Sequence, residues 1–130
     1  MALEELRQHV SELSEKTSLQ VEVEQEGAQV FLILRDVALP PRAYQVTSSD
    51  VLFITDMQYP LSAMDMFWTD PSVIRIDGSI GAGAESIEPY RGRQWRRFSW
   101  HRNGIWSPNG NPLLDHFEFM QVRFAQDVPQ

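Results

Sequence analysis

The chain has 130 residues, of which 42% are hydrophobic and 22% charged, and these values are typical of one globular domain. The formal net charge of −7 argues against nucleic acids and anionic membranes as general partners, because their phosphates carry charge of the same sign. The sequence contains no cysteine, which excludes disulfides, thiolate metal sites and a thiol nucleophile. We therefore expect a single domain over residues 1–130 that folds without a metal or a cofactor.

The first segment predicts an amphipathic helix from Leu3 to Lys16, and it is too charged for a signal peptide. No apolar run in the sequence is long enough to cross a bilayer, so a cytoplasmic location is the default expectation. His9 is expected on the exposed side of the helix. The apolar residues that recur at helical spacing and predict one buried stripe are Leu3, Leu6, Val10 and Leu13.

Four alternating or continuously apolar segments follow, and they predict an antiparallel meander of four strands. Turn-forming residues separate them, including Glu26-Gly27 and the pair Pro40-Pro41. The predicted strands are Ser18–Glu26, Gln29–Val37, Asp50–Asp56 and Met64–Thr69.

The rest of the chain predicts a long irregular segment, an extended stretch and a helix. Residues Ser72–Arg93 are rich in glycine and are predicted to be irregular, and the aromatic-rich Gln94–His101 is treated as extended. A last helix should begin at Asn111-Pro112, with asparagine as N-cap and proline in the first turn. His116 is expected at the boundary of that helix. Its predicted buried stripe consists of Leu113, Phe117, Met120 and Phe124.

The order of these elements, together with two short motifs, resembles the ubiquitin-conjugating-enzyme fold. Tyr59-Pro60 follows the third strand, as the family's Tyr-Pro does, and Trp106-Ser107-Pro108 stands before a helix, as the family's Trp-x-Pro does. The stretch WRRFSWHRNGIW with a helix downstream is similar, more specifically, to a bacterial branch of the fold, the prokaryotic family E. The resemblance implies an α+β fold, and it implies an activating-enzyme-like protein and a ubiquitin-like protein as partners.

The sequence departs from that pattern at three points. Nothing in Ser72–Gly92 matches the family's His-Pro-Asn signature, and one helix follows Trp106, so we expect the family's two final helices to be missing. The family's catalytic cysteine lies a short stretch before its Trp-x-Pro. Counting back from Trp106 places Ser99 at that position or one residue from it.

Ser99 is therefore the candidate nucleophile, although a serine hydroxyl is a weaker acid than a thiol and needs a general base. In an extended segment Arg97, Ser99 and His101 share one face, while Phe98 and Trp100 lie on the other. His101 titrates near neutrality and could take the proton, but a spacing of roughly 6–7 Å requires a bend or a bridging water. His101 fits a solvated strand residue equally well. Arg97 could stabilise a tetrahedral oxyanion in place of the family's asparagine.

Five arginines lie in one stretch, residues 91–102, that contains no acidic residue. Arginine suits the recognition of carboxylates, so we rank docking of an acidic partner surface ahead of oxyanion stabilisation and ahead of a solvated loop. The predicted partner-binding residues are Arg91, Arg93, Arg96 and Arg102.

Two functions from different classes fit these observations. In the first, the domain is an enzyme that accepts a ubiquitin-like C-terminus on Ser99 as an oxyester and passes it to an amine. In the second, it is a catalytically inactive module that binds the activating enzyme or the ubiquitin-like protein, as the missing cysteine and His-Pro-Asn signature favour. A nucleic-acid contact through the arginines is a weaker third hypothesis, which the net charge disfavours.

Overall fold

The computed structural model describes residues 2–100 and 106–127 of the chain. In this part of the chain neither helix is long and apolar enough to span a membrane. The elements, in chain order, are α1 (Ala2–Thr17), β1 (Val21–Glu26), β2 (Gln29–Ala38), β3 (Ser48–Asp56), β4 (Phe67–Thr69), β5 (Ile87–Tyr90), β6 (Arg93–Phe98) and α2 (Pro112–Gln126).

The six described strands form one antiparallel sheet in the order β1-β2-β3-β4-β6-β5. The first four strands are the predicted meander, and β6 pairs with β4 so that the β5–β6 hairpin extends the same sheet. The α+β class and the conjugating-enzyme-like arrangement of helices around a sheet are confirmed. The number of strands differs from the prediction, since six replace the expected four.

The extra strands correct the prediction that Ser72–Arg93 is irregular throughout. β5 lies inside this segment and pairs with β6 through a turn at Arg91 and Gly92, whose φ angles are 53° and 79°. A two-residue hairpin turn with positive φ at both positions matches the twist of the flanking strands, and glycine adopts it without steric cost. Gly92 therefore marks a hairpin rather than the end of regular structure.

The main core lies between one face of the sheet and the two helices. Leu6 and Leu13 of α1 are fully buried there, whereas Leu3 and Val10 are partly buried at its border. The predicted stripe on α2 is buried along its whole length. The helix begins as predicted, because the Asn111 side chain accepts the N–H of Leu114 at 3.0 Å.

Tyr59 links the two helices at the end of β3. Its hydroxyl oxygen accepts the N–H of Leu113 at 3.2 Å and shares a hydrogen bond of 2.7 Å with Nδ1 of His9. Tyr59 is 1% exposed and His9 is 6% exposed, so the expectation that His9 lies on the helix surface is wrong. His116 is also buried rather than at a boundary, and its Nε2 bonds the carbonyl oxygen of Met66 at 3.0 Å. In both cases a polar tip reaches a specific partner, which satisfies the buried nitrogen.

A second, smaller core lies on the sheet face opposite the helices, and the curl of the sheet covers it. The β5–β6 turn at one edge reaches β1 at the other edge, where Arg91 contacts Glu24 at 2.6 Å. Tyr90 lies 6.0 Å from Phe31, ring to ring, across the same gap. The apolar side chains enclosed in this way are Phe31, Ile33, Leu52, Trp68 and Trp95.

The Tyr59 hydroxyl provides a test of the packing between the helices. Tyr59→Phe should lower the free energy of unfolding by about 1–3 kcal/mol, because it leaves the buried Leu113 N–H and His9 Nδ1 without this partner. Tyr90→Phe is the matched control, since Tyr90 is half-buried at the sheet surface, and it should change stability by less than about 0.5 kcal/mol. Denaturant unfolding measures both values, and equal losses for the two variants would contradict the bridging role of Tyr59.

Candidate functional site

Ser99 lies directly after the last residue of β6, and the side chains on either side of it point to the main core. Phe98 and Trp100 are buried, whereas Arg97 and Ser99 are half-buried on the opposite face. Phe98 stacks on Phe67 with ring centroids 5.3 Å apart. The alternation predicted for these four residues is confirmed, and it aims the Ser99 hydroxyl away from the main core.

A glycine holds the backbone of Ser99 against the preceding loop. The Ser99 N–H donates to the carbonyl oxygen of Gly83 at 2.9 Å, and the Trp100 indole N–H donates to the carbonyl oxygen of Ala82 at 3.0 Å. Gly83 has φ +84°, and a Cβ built there would lie 3.4 Å from the Trp100 ring. This close approach and the left-handed backbone both favour glycine, and they fix Ser99 beside the loop.

A chain of hydrogen bonds from three strands ends at the Ser99 hydroxyl. Nε of Arg97 donates to Oγ of Ser99 at 2.9 Å, and Nη1 of Arg97 donates to Oε2 of Glu88 at 2.9 Å. The indole N–H of Trp68 donates to Oε1 of the same carboxylate at 2.8 Å. The order is therefore Trp68, Glu88, Arg97, Ser99, from β4 and β5 to the end of β6.

The chemistry of this series of hydrogen bonds follows from the permanent charge of arginine. A guanidinium stays protonated in proteins, so Arg97 donates to the Ser99 oxygen and cannot accept its proton. A cation at hydrogen-bonding distance stabilises negative charge on Oγ. When Oγ attacks a carbonyl carbon, such a cation also stabilises the oxyanion that forms on that carbon. Two of the three predicted catalytic residues, Arg97 and Ser99, are thus in contact. The third, His101, lies outside the described residues.

Glu88 and Trp68 belong to the site, and the sequence interpretation did not include them. Glu88 fell in the segment predicted to be irregular, where its direction could not be assigned. The usable signal was the alternation in Ile87-Glu88-Pro89-Tyr90 followed by Arg91-Gly92, which is typical of an edge strand and a tight hairpin turn. The register of that hairpin pairs Glu88 with Trp95 and brings it to the face that carries Arg97.

The other predicted arginines form contacts within the chain. Arg91 bonds Glu24 at 2.6 Å and Glu26 at 3.0 Å, and its guanidinium carbon lies 5.6 Å from the centre of the Phe31 ring. Arg93 stacks on Trp95 at 4.2 Å. The carboxylates that pair with Arg93 are those of Asp50, at 3.0 Å, and Asp70. These acids come from distant parts of the sequence, so Arg91 and Arg93, in the described part of this stretch, are not a free positive surface.

Arg96 differs from its neighbours because it is 6% exposed and points to the other side of the sheet. It donates to the carbonyl oxygen of Ala84 at 2.7 Å and to that of Pro71 at 3.0 and 3.1 Å. Burial lowers the pKa of its guanidinium. Arg96 therefore holds in place the loop whose Gly83 contacts Ser99. Its buried position gives no support to the prediction that Arg96 contacts a partner. Arg102 lies outside the described residues.

The comparison with known families decides the wider identity of the fold. A family model described as prokaryotic E2 family E matches residues 6–127 of the chain. The chain belongs to prokaryotic E2 family E. No curated protein and no solved structure gives a match.

Membership of family E confirms the resemblance drawn from Tyr59-Pro60, Trp106-Ser107-Pro108 and the stretch around Ser99. Both motifs have structural roles here. Tyr59 bridges the helices, and the indole N–H of Trp106 donates to the carbonyl oxygen of Pro60 at 2.8 Å, so the two motifs contact each other. The chain is thus a ubiquitin-conjugating-like module, and the family in general implies an activating enzyme and a ubiquitin-like protein as partner classes.

The ion pairs on the sheet face opposite the helices predict that the stability of this family E chain depends on pH. Burial raises the pKa of Asp50, but the backbone N–H of Asp36 and the guanidinium groups of Arg93 and Arg35 outweigh it and hold the pKa below its ordinary value. A carboxylate with a lowered folded-state pKa stabilises the fold above its unfolded pKa. That stabilisation is lost as the pH falls through the folded value.

Asp50→Asn should therefore lower the free energy of unfolding at pH 7 by about 1–3 kcal/mol, since Asp50 accepts three hydrogen bonds from Asp36, Arg35 and Arg93. It should also make the decline in stability below about pH 4 shallower than in the wild type. Denaturant unfolding between neutral and acid pH measures both effects. Glu118→Gln, on the exposed side of α2, is the control. If stability declined equally steeply at acid pH in Asp50→Asn and in the wild type, this would contradict a lowered pKa of Asp50 in the folded state.

Proposed function

We propose that the domain carries a ubiquitin-like C-terminus on Ser99 as an oxyester and transfers it to an amine. The observation that supports this most directly is the hydrogen bond of 2.9 Å from Arg97 Nε to Ser99 Oγ, because counting from Trp106 puts Ser99 at the family's cysteine position or one residue from it. A cation against the hydroxyl compensates in part for the weaker acidity of serine. Ser99 is half-buried, so its oxygen is held in place and still reachable.

The loading step exchanges one ester for another. Oγ of Ser99 attacks the carbonyl carbon of a thioester on the activating enzyme, the C–O bond forms and the C–S bond breaks. The hydroxyl proton ends on the departing thiolate. The tetrahedral intermediate places a negative charge on the former carbonyl oxygen, and Arg97 supplies a positive charge at hydrogen-bonding distance from Oγ. The base that relays the proton is, by this proposal, His101.

The alternative is a binding module that makes no covalent bond, and one observation favours it. The hydrogen bond to Ser99 Oγ comes from a guanidinium, which cannot serve as a base, so this contact supplies a cation to the oxygen and not a proton acceptor. A module of this kind would bind the activating enzyme or the ubiquitin-like protein, and the Ser99 contacts would only hold the end of β6 against the loop that contains Gly83. Detection of any covalent adduct on this chain would exclude it.

Replacement of the serine tests the enzyme directly. After incubation with activating enzyme, ubiquitin-like protein and ATP, the intact mass of the wild type should increase by that of the ubiquitin-like protein less one water, and Ser99→Ala should show no increase because the acceptor oxygen is gone. The adduct should survive thiol reductants and be removed by mild base, as an oxyester is.

Ser72→Ala is the matched control, because Ser72 is a solvent-exposed serine on the described surface, and this variant should form the adduct like the wild type. An adduct of equal yield on Ser99→Ala would overturn the proposal. Tight binding of both partners without any mass increase in the wild type would favour the binding module instead.

Ser99→Cys provides a second test, since the chain offers no competing thiol. A thiol beside Arg97 is a better nucleophile than a hydroxyl, and about a tenth or more of it should be ionised near neutral pH if its pKa falls at least one unit below about 8.5. We expect faster loading and an adduct that thiol reductants now remove. Non-reducing gel electrophoresis with and without reductant measures this change, and an adduct that stays resistant to thiols would place the acyl group on another residue.

A further inference from the structure

We propose that Glu88 is a positioning residue, which holds the Arg97 guanidinium so that its Nε–H points at the Ser99 oxygen. The inference rests on the proposed function for the role of Ser99, but it concerns a different residue and is tested separately. Glu88 lies on β5, nine residues before Arg97 in the β6 strand, and it has no counterpart among the residues that the family pattern suggested.

The carboxylate of Glu88 is held at both oxygens. Oε2 accepts Nη1–H of Arg97 at 2.9 Å, and Oε1 accepts the indole N–H of Trp68 at 2.8 Å. Trp68 is 6% exposed in the second core, and its ring lies 5.7 Å from that of Tyr90. An indole has a single donor at a fixed place on a rigid ring, so Trp68 sets the position of the carboxylate.

Arg97 needs such support because its side chain is long and has many rotamers. With Nη1 fixed on Glu88, the planar fork directs Nε to Ser99, 2.9 Å away. The third nitrogen, Nη2, is 3.5 Å from Oγ of Ser86, which is the upper limit of a hydrogen bond. Of the three nitrogens, Nη2 therefore makes the longest contact within the described residues, and it can bond the developing oxyanion while Nε stays on Oγ.

Because Glu88 is negatively charged, the sign of the pKa change at position 99 on its removal distinguishes a direct charge effect from the placement of Arg97. A carboxylate close to Ser99 by itself opposes negative charge there, and so raises the pKa of an acidic group at that position. Its removal should then lower that pKa. If Glu88 acts instead by placing Arg97, its removal frees the cation to move away, and the pKa should rise. Among the described residues, the loop that accepts the Ser99 N–H carries a further charged group, Glu85, whose carboxylate accepts the N–H of Gly83 at 3.2 Å and is present in every variant.

The experiment measures the thiol pKa in Ser99→Cys by the pH dependence of alkylation, since the chain provides no other thiol. Glu88→Gln on this background should raise the thiol pKa by about half a unit to one unit. Trp68→Phe removes the anchor but keeps the carboxylate, and it should raise the pKa by a smaller amount. Glu22→Gln is the matched control, because it also breaks an arginine pair on the same sheet face, with Arg35, and it should leave the pKa unchanged.

A double-variant comparison separates placement from general damage to the fold. On the Ser99→Cys, Arg97→Met background the guanidinium is absent, so Glu88→Gln should now lower the thiol pKa through the loss of its charge alone. A lowered or unchanged pKa for Glu88→Gln while Arg97 is present would overturn the proposal. A rise of equal size with and without Arg97 would also overturn it, since it would reflect a structural effect.

The transfer reaction gives an independent readout with Ser99 itself in place. Glu88→Gln should reduce the maximal rate of adduct formation about tenfold and leave the donor concentration for half-maximal rate nearly unchanged, because positioning acts on the transition state. If the wild type forms no adduct on Ser99, the proposed function fails, and the sign of the thiol pKa shift still decides whether Glu88 places Arg97.

Discussion

The curl of the sheet is the constraint on which the candidate site depends. Both helices cover one face, so the other face can exclude water only if the sheet folds over itself. The β5–β6 turn does this by reaching β1, where Arg91 pairs with Glu24 and Glu26 and the Tyr90 ring meets Phe31. The same hairpin carries Glu88 to the Trp68 indole, so the strand that helps to close the second core also supplies the carboxylate that reaches Arg97.

The arginine-rich stretch shows why charge along the sequence differs from charge on the surface. The acidic partners of Arg91, Arg93 and Arg97 are supplied by β1, β3, the end of β4 and β5, and Arg96 takes backbone carbonyls instead. Each pair at the solvent boundary contributes little alone, but the guanidinium planes also cover aromatic rings, as Arg93 covers Trp95 at 4.2 Å. Arg91 and Arg93 therefore form part of the outer layer of the second core.

Local patterns predicted the parts of the fold that are determined by periodicity. The α2 stripe, its asparagine cap and the alternation of Phe98, Ser99 and Trp100 all follow from spacing along a single element. The β5–β6 hairpin and the roles of His9 and Glu88 do not follow from such spacing, because each depends on a contact between elements. His9 looks like a surface residue until Tyr59 is placed against it, and Glu88 becomes informative only when the hairpin register is known.

The chemistry available at Ser99 reflects a balance set by Arg97. A cation that stabilises an alkoxide also makes it less nucleophilic, so Arg97 promotes ionisation more than intrinsic reactivity. The same cation stabilises the alkoxide when it leaves, and this matters more for an oxyester, whose leaving group is poorer than a thiolate. If Ser99 carries an acyl group as proposed, an arginine that stays on Oγ throughout assists unloading at least as much as loading. This is the step at which a serine carrier is at the greatest disadvantage, and a carboxylate that keeps the arginine in place acts on that step.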